Sequence, residues 1–181
     1  MNRYYITDRK AAGGTETLLR IIEGQFQSGI ELLQIREKDL SARDLFELTR
    51  KVIGIRGSRA TKILVNSRAD VALAAGADGV HLPAAAPQQT LPGLLVGRSC
   101  HTVQEVLSSR ADLVTFGPIF LSPGKGSPKG LDALRDACQS HIAVYALGGI
   151  TWNNAAECVE AGAAGIAGIR LFQEMNSDAL R

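Results

Sequence analysis

Cysteine is scarce and unpatterned. The 181 residues hold three, Cys100, Cys138 and Cys158, an odd number without a CxxC pair, which argues against a disulfide framework or a structural zinc site and fits a reducing cytoplasm. Long apolar runs are missing too. None reaches the roughly 18 residues of a membrane span, and the opening MNRYYITDRK enters an apolar strand without the charged n-region, long h-region and cleavage site of a secretory signal. Neither sign of charge dominates: 20 basic and 18 acidic residues give a net charge of +2 and lie scattered along the chain. Without a basic stripe, nucleic acid and membrane surfaces are poor partners. Two nucleotide signatures are absent. No G-x-G-x-x-G follows the first strand, which runs into ITDRKAAGG, and the glycine-rich stretch near Lys125 has Ile119 and Gly126 where a P-loop needs Gly and Ser or Thr.

What remains is an ordinary globular composition, 45% hydrophobic and 21% charged, expected to form one soluble domain over 1–181. Eight short runs read as strands: YYIT near Tyr4, ELLQIR at 31–36, KILVNS at 62–67, GVHL at 79–82, LLVGRS at 94–99, LVTFGPIF at 113–120, AVYALGG at 143–149 and GIAGI at 165–169. Between several of them apolar residues recur at helical spacing, as in Leu18, Ile21, Ile22 and Phe26, then Leu45, Leu48, Val52 and Ile53. Such alternation predicts an α/β protein with a parallel eight-stranded sheet, closing as a compact (β/α)8 TIM barrel. An open doubly wound sheet is the second architecture. AGADG at 75–79 and AGAAG at 161–165 echo one another as helix ends capped by glycine. The connection from Pro83 to Leu94 carries little helical signal, and the tail after Phe172 leaves little room for a full eighth helix.

Alternate side chains of a barrel strand face the helices or the lumen. Leu33 and Ile35 must face the helices, so Gln34 and Arg36 look into the barrel and Lys38 follows them. Such an arginine needs an anion or an internal carboxylate, with Asp8 the candidate for the latter. The same alternation makes Asn66 a mouth residue and brings Ser99 and His101 to the mouth together, with Arg98 and Cys100 turned away. His101 is the candidate general acid or base, since imidazole titrates near neutrality and proton transfer of this kind is worth about 10²–10⁴-fold in rate. His81, inside strand four, reads more readily as a satisfied structural histidine, and His141, before strand seven, as structural at the bottom of the barrel. The loop GPIFLSPGKGSPKG, with Lys125 and Lys129, reads as a lid over the mouth. Gly148 and Gly149 in ALGGIT, with Ile169 and Arg170 after GIAG, read as a phosphate cradle beyond strands seven and eight.

The blocks QIREK, VNSRADVALAAGADGVHL, GRSCHT, FGPIF with its lysine loop, ALGGIT and GAAGIAGI resemble, in order and over nearly the whole chain, those of the thiamine-phosphate synthase/TenI superfamily. The resemblance implies a (β/α)8 barrel, commonly a homodimer, acting on a small phosphorylated thiazole. In the synthase branch, which couples a pyrimidine pyrophosphate to that thiazole with Mg²⁺, the pyrophosphate contacts fall on Gln34, Arg36, Lys38, Asn66 and Lys125, with Ser99 and Ser122 near the site. That branch holds its metal with an aspartate after the asparagine and another in a G-Q-x-D segment; here those positions are Ser67 and Ala86. The TenI-type thiazole tautomerases have a non-acidic residue after the asparagine, a V-x-L-P segment and GRSxH, and this chain has NSR, VHLP and GRSCH. That branch implies metal-free, cofactor-free proton transfer through His101. The alternatives are a Mg²⁺-dependent synthase and a non-catalytic paralogue that binds thiazole or thiamine phosphate.

Overall fold

A computed structural model describes residues 1–174; the end of the 1–181 span expected as one domain lies outside the described residues. Eight strands, β1 (Asn2–Ile6), β2 (Leu32–Ile35), β3 (Lys62–Asn66), β4 (Gly79–Leu82), β5 (Leu95–Cys100), β6 (Leu113–Phe116), β7 (Ala143–Leu147) and β8 (Gly165–Gly168), pair in parallel and in sequence order. β8 returns to β1 with Asn2 opposite Gly165 and Tyr5 opposite Gly168, so the sheet is a closed barrel and the open alternative is excluded. All eight expected strands are present. The expected β6 ran to Phe120, but the ladder stops at Phe116 because Pro118 has no N–H to donate.

The helices α1 (Thr15–Gln27), α2 (Ala42–Arg56), α3 (Ala69–Ala75), α4 (Val103–Leu107), α5 (Gly130–Ala137), α6 (Ala155–Glu160) and α7 (Arg170–Gln173) fill the outer ring. Between β4 and β5 the described chain forms only turns, as the weak helical signal there predicted, and α7 is a single turn. Local signals explain several ends. Ser41 caps α2 by accepting from the Asp44 N–H at 3.1 Å, and Thr102 and Glu105 form a reciprocal capping box at α4. Gly76, in the left-handed region, closes α3.

Two large cores and a small outer cluster of Val80, Leu82 and Val96 follow from the strand alternation. Leu33, Ile35, Ile63 and Val65 pack outward against Leu18, Ile22, Phe26, Leu48 and Val52 of α1 and α2. Tyr4, Ile6, Leu32, Leu64, Leu113, Tyr145 and Ala167 fill the lumen. Their burial supplies the dominant stabilisation, about 1.5–3 kcal/mol for each large side chain. At the amino-terminal end of the barrel Asp78 accepts from the Ile63 N–H at 2.9 Å and pairs with Arg56 and Lys62, while Asp112 accepts from the Val96 N–H at 2.7 Å. These fastenings leave the opposite end to carry chemistry.

Candidate active site

The carboxyl ends of the strands surround a cavity of about 960 Å³. Every candidate read from the sequence lines it: Gln34, Arg36 and Lys38 from β2 and beyond, Asn66 at the end of β3, and Ser99 and His101 around the end of β5. Ser122 and Lys125 come from the loop after β6, Gly148 and Gly149 follow β7, and Ile169 and Arg170 open α7. Of the lysines expected in the lid, Lys125 reaches the cavity, whereas Lys129 sits at the N-cap of α5 and does not line it. Arg36 forms no ion pair with Asp8, whose carboxylate instead accepts from the Ala11 N–H. Among the described residues that line the cavity the one carboxylate is Glu174, against the cations Arg36, Lys38, Lys125 and Arg170. Such a mouth favours an anion.

The geometry around His101 is set by α4. Glu105 Oε2 accepts from the His101 backbone N–H at 2.5 Å, and the imidazole Nδ1 lies 3.3 Å from the Gly117 carbonyl oxygen. A carbonyl can only accept, so Nδ1 carries the proton and Nε2 is left with the lone pair. That is the arrangement a general base requires. His141 is exposed and outside the cavity lining. Cys100 points into the outer core, where burial pushes its thiol up to about 11, so it is no nucleophile.

Gly148 and Gly149 have φ values of 93° and 67°. A Cβ on Gly148 would lie 2.6 Å from the Pro118 Cβ, and one on Gly149 would lie 2.5 Å from the Leu121 carbonyl oxygen. Only glycine lets the two loops meet there. Gly168, Ile169 and Arg170 line the cavity beside them, where the neighbouring strand β8 runs into α7, and the leading N–H groups of a helix have no acceptor within it.

Several lining residues carried no sequence signal that pointed to this site. Leu121 and Trp152, 80% and 43% exposed, form an apolar rim. The indole of Trp152 stacks edge-on against Phe172 at 5.8 Å between ring centres. The expected structural character of His81 is half the picture: it is buried and fully hydrogen-bonded, yet it also lines the cavity floor. A second hollow of about 640 Å³ lies around Phe26, Ile30, Leu32 and Tyr145 at the amino-terminal end of the barrel, away from these groups.

The Mg²⁺ implied by the synthase branch does not fit the residues present. Ser67 adopts φ 60° and its hydroxyl accepts from Asn66 Nδ2 at 3.1 Å. Ala86 offers no side-chain oxygen, and the carbonyls of Ala84, Ala86 and Pro87 all accept from the buried guanidinium of Arg98. The nearby Asp70 is taken up by Arg68, which holds its carboxyl down at about 2. Among the described residues no cluster of three or more His, Cys, Asp or Glu could hold a metal. An oxygen-loving dication normally needs a carboxylate or two besides the substrate's phosphates.

A family profile described as "Thiamine monophosphate synthase" matches residues 3–172. A Geobacter sulfurreducens protein named "Putative thiamine-phosphate synthase" is 45% identical over 177 residues, spanning 91% of this chain and 83% of that protein. The "Thiamine-phosphate synthase" of Roseiflexus sp. (strain RS-1) is 36% identical over 177 residues, spanning 91% and 75%. Among solved structures, "Thiamine phosphate pyrophosphorylase from Pyrococcus furiosus" superposes with a TM-score of 0.80 at 27% identity, covering 97% of this chain and 94% of that one. By the extent of the profile match and the identity to these relatives, this chain belongs to the thiamine monophosphate synthase family.

Proposed function

We propose that the chain is an enzyme of thiamine biosynthesis that aromatises a carboxylated thiazole phosphate by metal-free proton transfer. One observation carries the reading: a cationic cavity holds a histidine poised as a base, while both positions that would supply metal carboxylates are Ser67 and Ala86. The phosphate sits against the backbone around Gly148, Gly149, Ile169 and Arg170. Arg36 and Lys38 face the substrate carboxylate, and Lys125 closes over the mouth. Leu121, Ile150 and Trp152 supply apolar surface for the ring. Nε2 of His101 removes the ring proton, the electron pair moves into the ring as the exocyclic double bond shifts, and the imidazolium returns the proton to the exocyclic carbon. No net proton, electron or leaving group is exchanged with solvent. The three free cysteines suit a reducing cytoplasm, and the enzyme is expected to act as a homodimer, which sedimentation would reveal.

The second reading is the Mg²⁺-dependent coupling of hydroxymethylpyrimidine pyrophosphate to thiazole phosphate. The names of the relatives favour it over tautomerisation; the donor set at residues 67 and 86 counts against it. An ultraviolet time course on the carboxylated thiazole phosphate in the presence of a chelator separates the two. Acceleration by the wild type that disappears in His101→Asn supports the proton transfer. No acceleration, with thiamine phosphate formed once Mg²⁺ and the two synthase substrates are supplied, establishes the coupling instead. Binding of thiazole phosphate with neither reaction would leave a non-catalytic paralogue.

A further inference from the structure

A chain of hydrogen bonds crosses the lumen beneath the cavity. Gln34 Nε2 donates to the Tyr4 hydroxyl at 3.2 Å. The Tyr4 oxygen lies 3.0 Å from His81 Nδ1, and His81 Nε2 lies 3.0 Å from the Ser99 Oγ. Gln34, Tyr4 and His81 are at most 2% exposed, so water cannot stand in for a missing partner. Ser99, at the end of the chain, is half-buried and lines the cavity.

The direction of the bonds follows from counting protons. The Tyr4 oxygen accepts from Gln34, so its own proton goes to its other partner, Nδ1 of His81. A neutral imidazole that accepts at Nδ1 carries its proton on Nε2. Nε2 therefore donates to Ser99, and the Ser99 hydroxyl, one lone pair occupied, turns its proton towards the cavity. Burial, reinforced by the Arg36 guanidinium, pushes the His81 pKa down to about 3, so protonation does not break the chain at neutral pH. Turning the Gln34 amide over would reverse every bond and aim the Ser99 lone pairs at the ligand. In the free protein the bond from Gln34 Nε2 to Tyr4 selects the first arrangement, and an anion drawn in by Arg36 and Lys38 reinforces it.

We infer that Tyr4 and His81 are positioning residues that lock Ser99 as a hydrogen-bond donor to an anionic oxygen of the ligand. The choice of ligand rests on the proposed function; the polarity of the chain is a property of the free protein. Room for His81 is itself built in, since a Cβ on Gly97 would lie 2.7 Å from Nδ1.

Long-range ¹H–¹⁵N correlation spectra of the ligand-free protein, assigned with His101→Asn and His141→Asn, read the tautomer directly. The expected result is a proton on Nε2 of His81 and a bare Nδ1, unchanged between pH 8 and pH 5. A proton on Nδ1 would overturn the inference. Affinity for the aromatic carboxylated thiazole phosphate, the product that keeps the carboxylate and is not turned over, then tests the link to Ser99. Tyr4→Phe should weaken binding about three- to tenfold when Ser99 is present and have little effect in the Ser99→Ala background. An equal loss in both backgrounds would show that Tyr4 does not act through Ser99. Should the wild type not bind the carboxylated thiazole phosphate at all, the substrate reading fails while the tautomer still decides the polarity.

Discussion

Replacing Arg98 by methionine should cost this protein about 3 kcal/mol of stability. Arg98 is 6% exposed and its guanidinium donates to three carbonyls, those of Ala84, Ala86 and Pro87. Methionine keeps most of the apolar stem but none of the donors. At about 1 kcal/mol net for each bond, the loss sums to about 3 kcal/mol. For a chain of this size each kcal/mol moves Tm by about 2–4 °C, so the expected fall is about 6–12 °C. Urea unfolding followed by circular dichroism supplies the number, provided the slope with denaturant stays constant. Amide exchange should quicken around residues 84–87 more than in β5, because the loop loses its anchor while the strand keeps its ladder. Arg98→Lys should recover only part of the loss, since an ammonium lacks the planar fork that reaches three oxygens. A loss below about 1 kcal/mol for Arg98→Met, or exchange unchanged at 84–87, would refute the assignment of Arg98 as the anchor of this loop.

His101→Asn should fold normally and lose roughly 10²-fold or more of the tautomerisation rate; an unchanged rate in the ultraviolet assay would remove His101 from the mechanism. Stability should fall on acidification because the folded-state pKa of His81 is depressed to about 3 from 6.5. The unfolded chain then binds the extra proton first, so stability is full above about pH 6.5 and is lost progressively towards pH 3, by about 1 kcal/mol between pH 6 and pH 5. His81→Gln should flatten that slope in urea titrations, and an identical slope would sink the explanation. Gly148→Ala should cost at least about 1–3 kcal/mol, since it adds a strained positive φ and a 2.6 Å approach to Pro118; an unaltered urea midpoint would contradict the close packing of the two loops. Arg36→Ala should raise KM more than it lowers kcat if the guanidinium holds the substrate carboxylate in ground and transition states alike, and the reverse split would place its action in the transition state.

Much of the site was legible because strand alternation is local. Knowing that Leu33 and Ile35 face the helices is enough to send Gln34 and Arg36 into the lumen, and the same reading places Asn66, Ser99 and His101 at the mouth. Glycine signals marked the loops after β7 for a related reason, because a positive φ is a property of a single residue. The expected end of β6 at Phe120 overlooked that Pro118 breaks the regular ladder after Phe116, although Ile119 and Phe120 still donate to the Leu147 and Gly148 carbonyls beyond it.

The sequence by itself determined the eight-fold alternation, the faces of the strands and the cationic character of the mouth, which follow from residue type and spacing, while Ser67 and Ala86 stand out as missing carboxylates only through the resemblance to the synthase branch. Tertiary structure alone decided which groups meet. Tyr4 of β1 reaches His81 of β4 only because the barrel closes and sets them across one lumen. Arg98, read from its strand as merely pointing away from the mouth, gathers the carbonyls of a loop more than ten residues earlier. Contacts of that kind depend on closure and register, which no local pattern encodes, and they turn an inward-facing serine into a directed donor and an outward-facing arginine into the anchor of a loop.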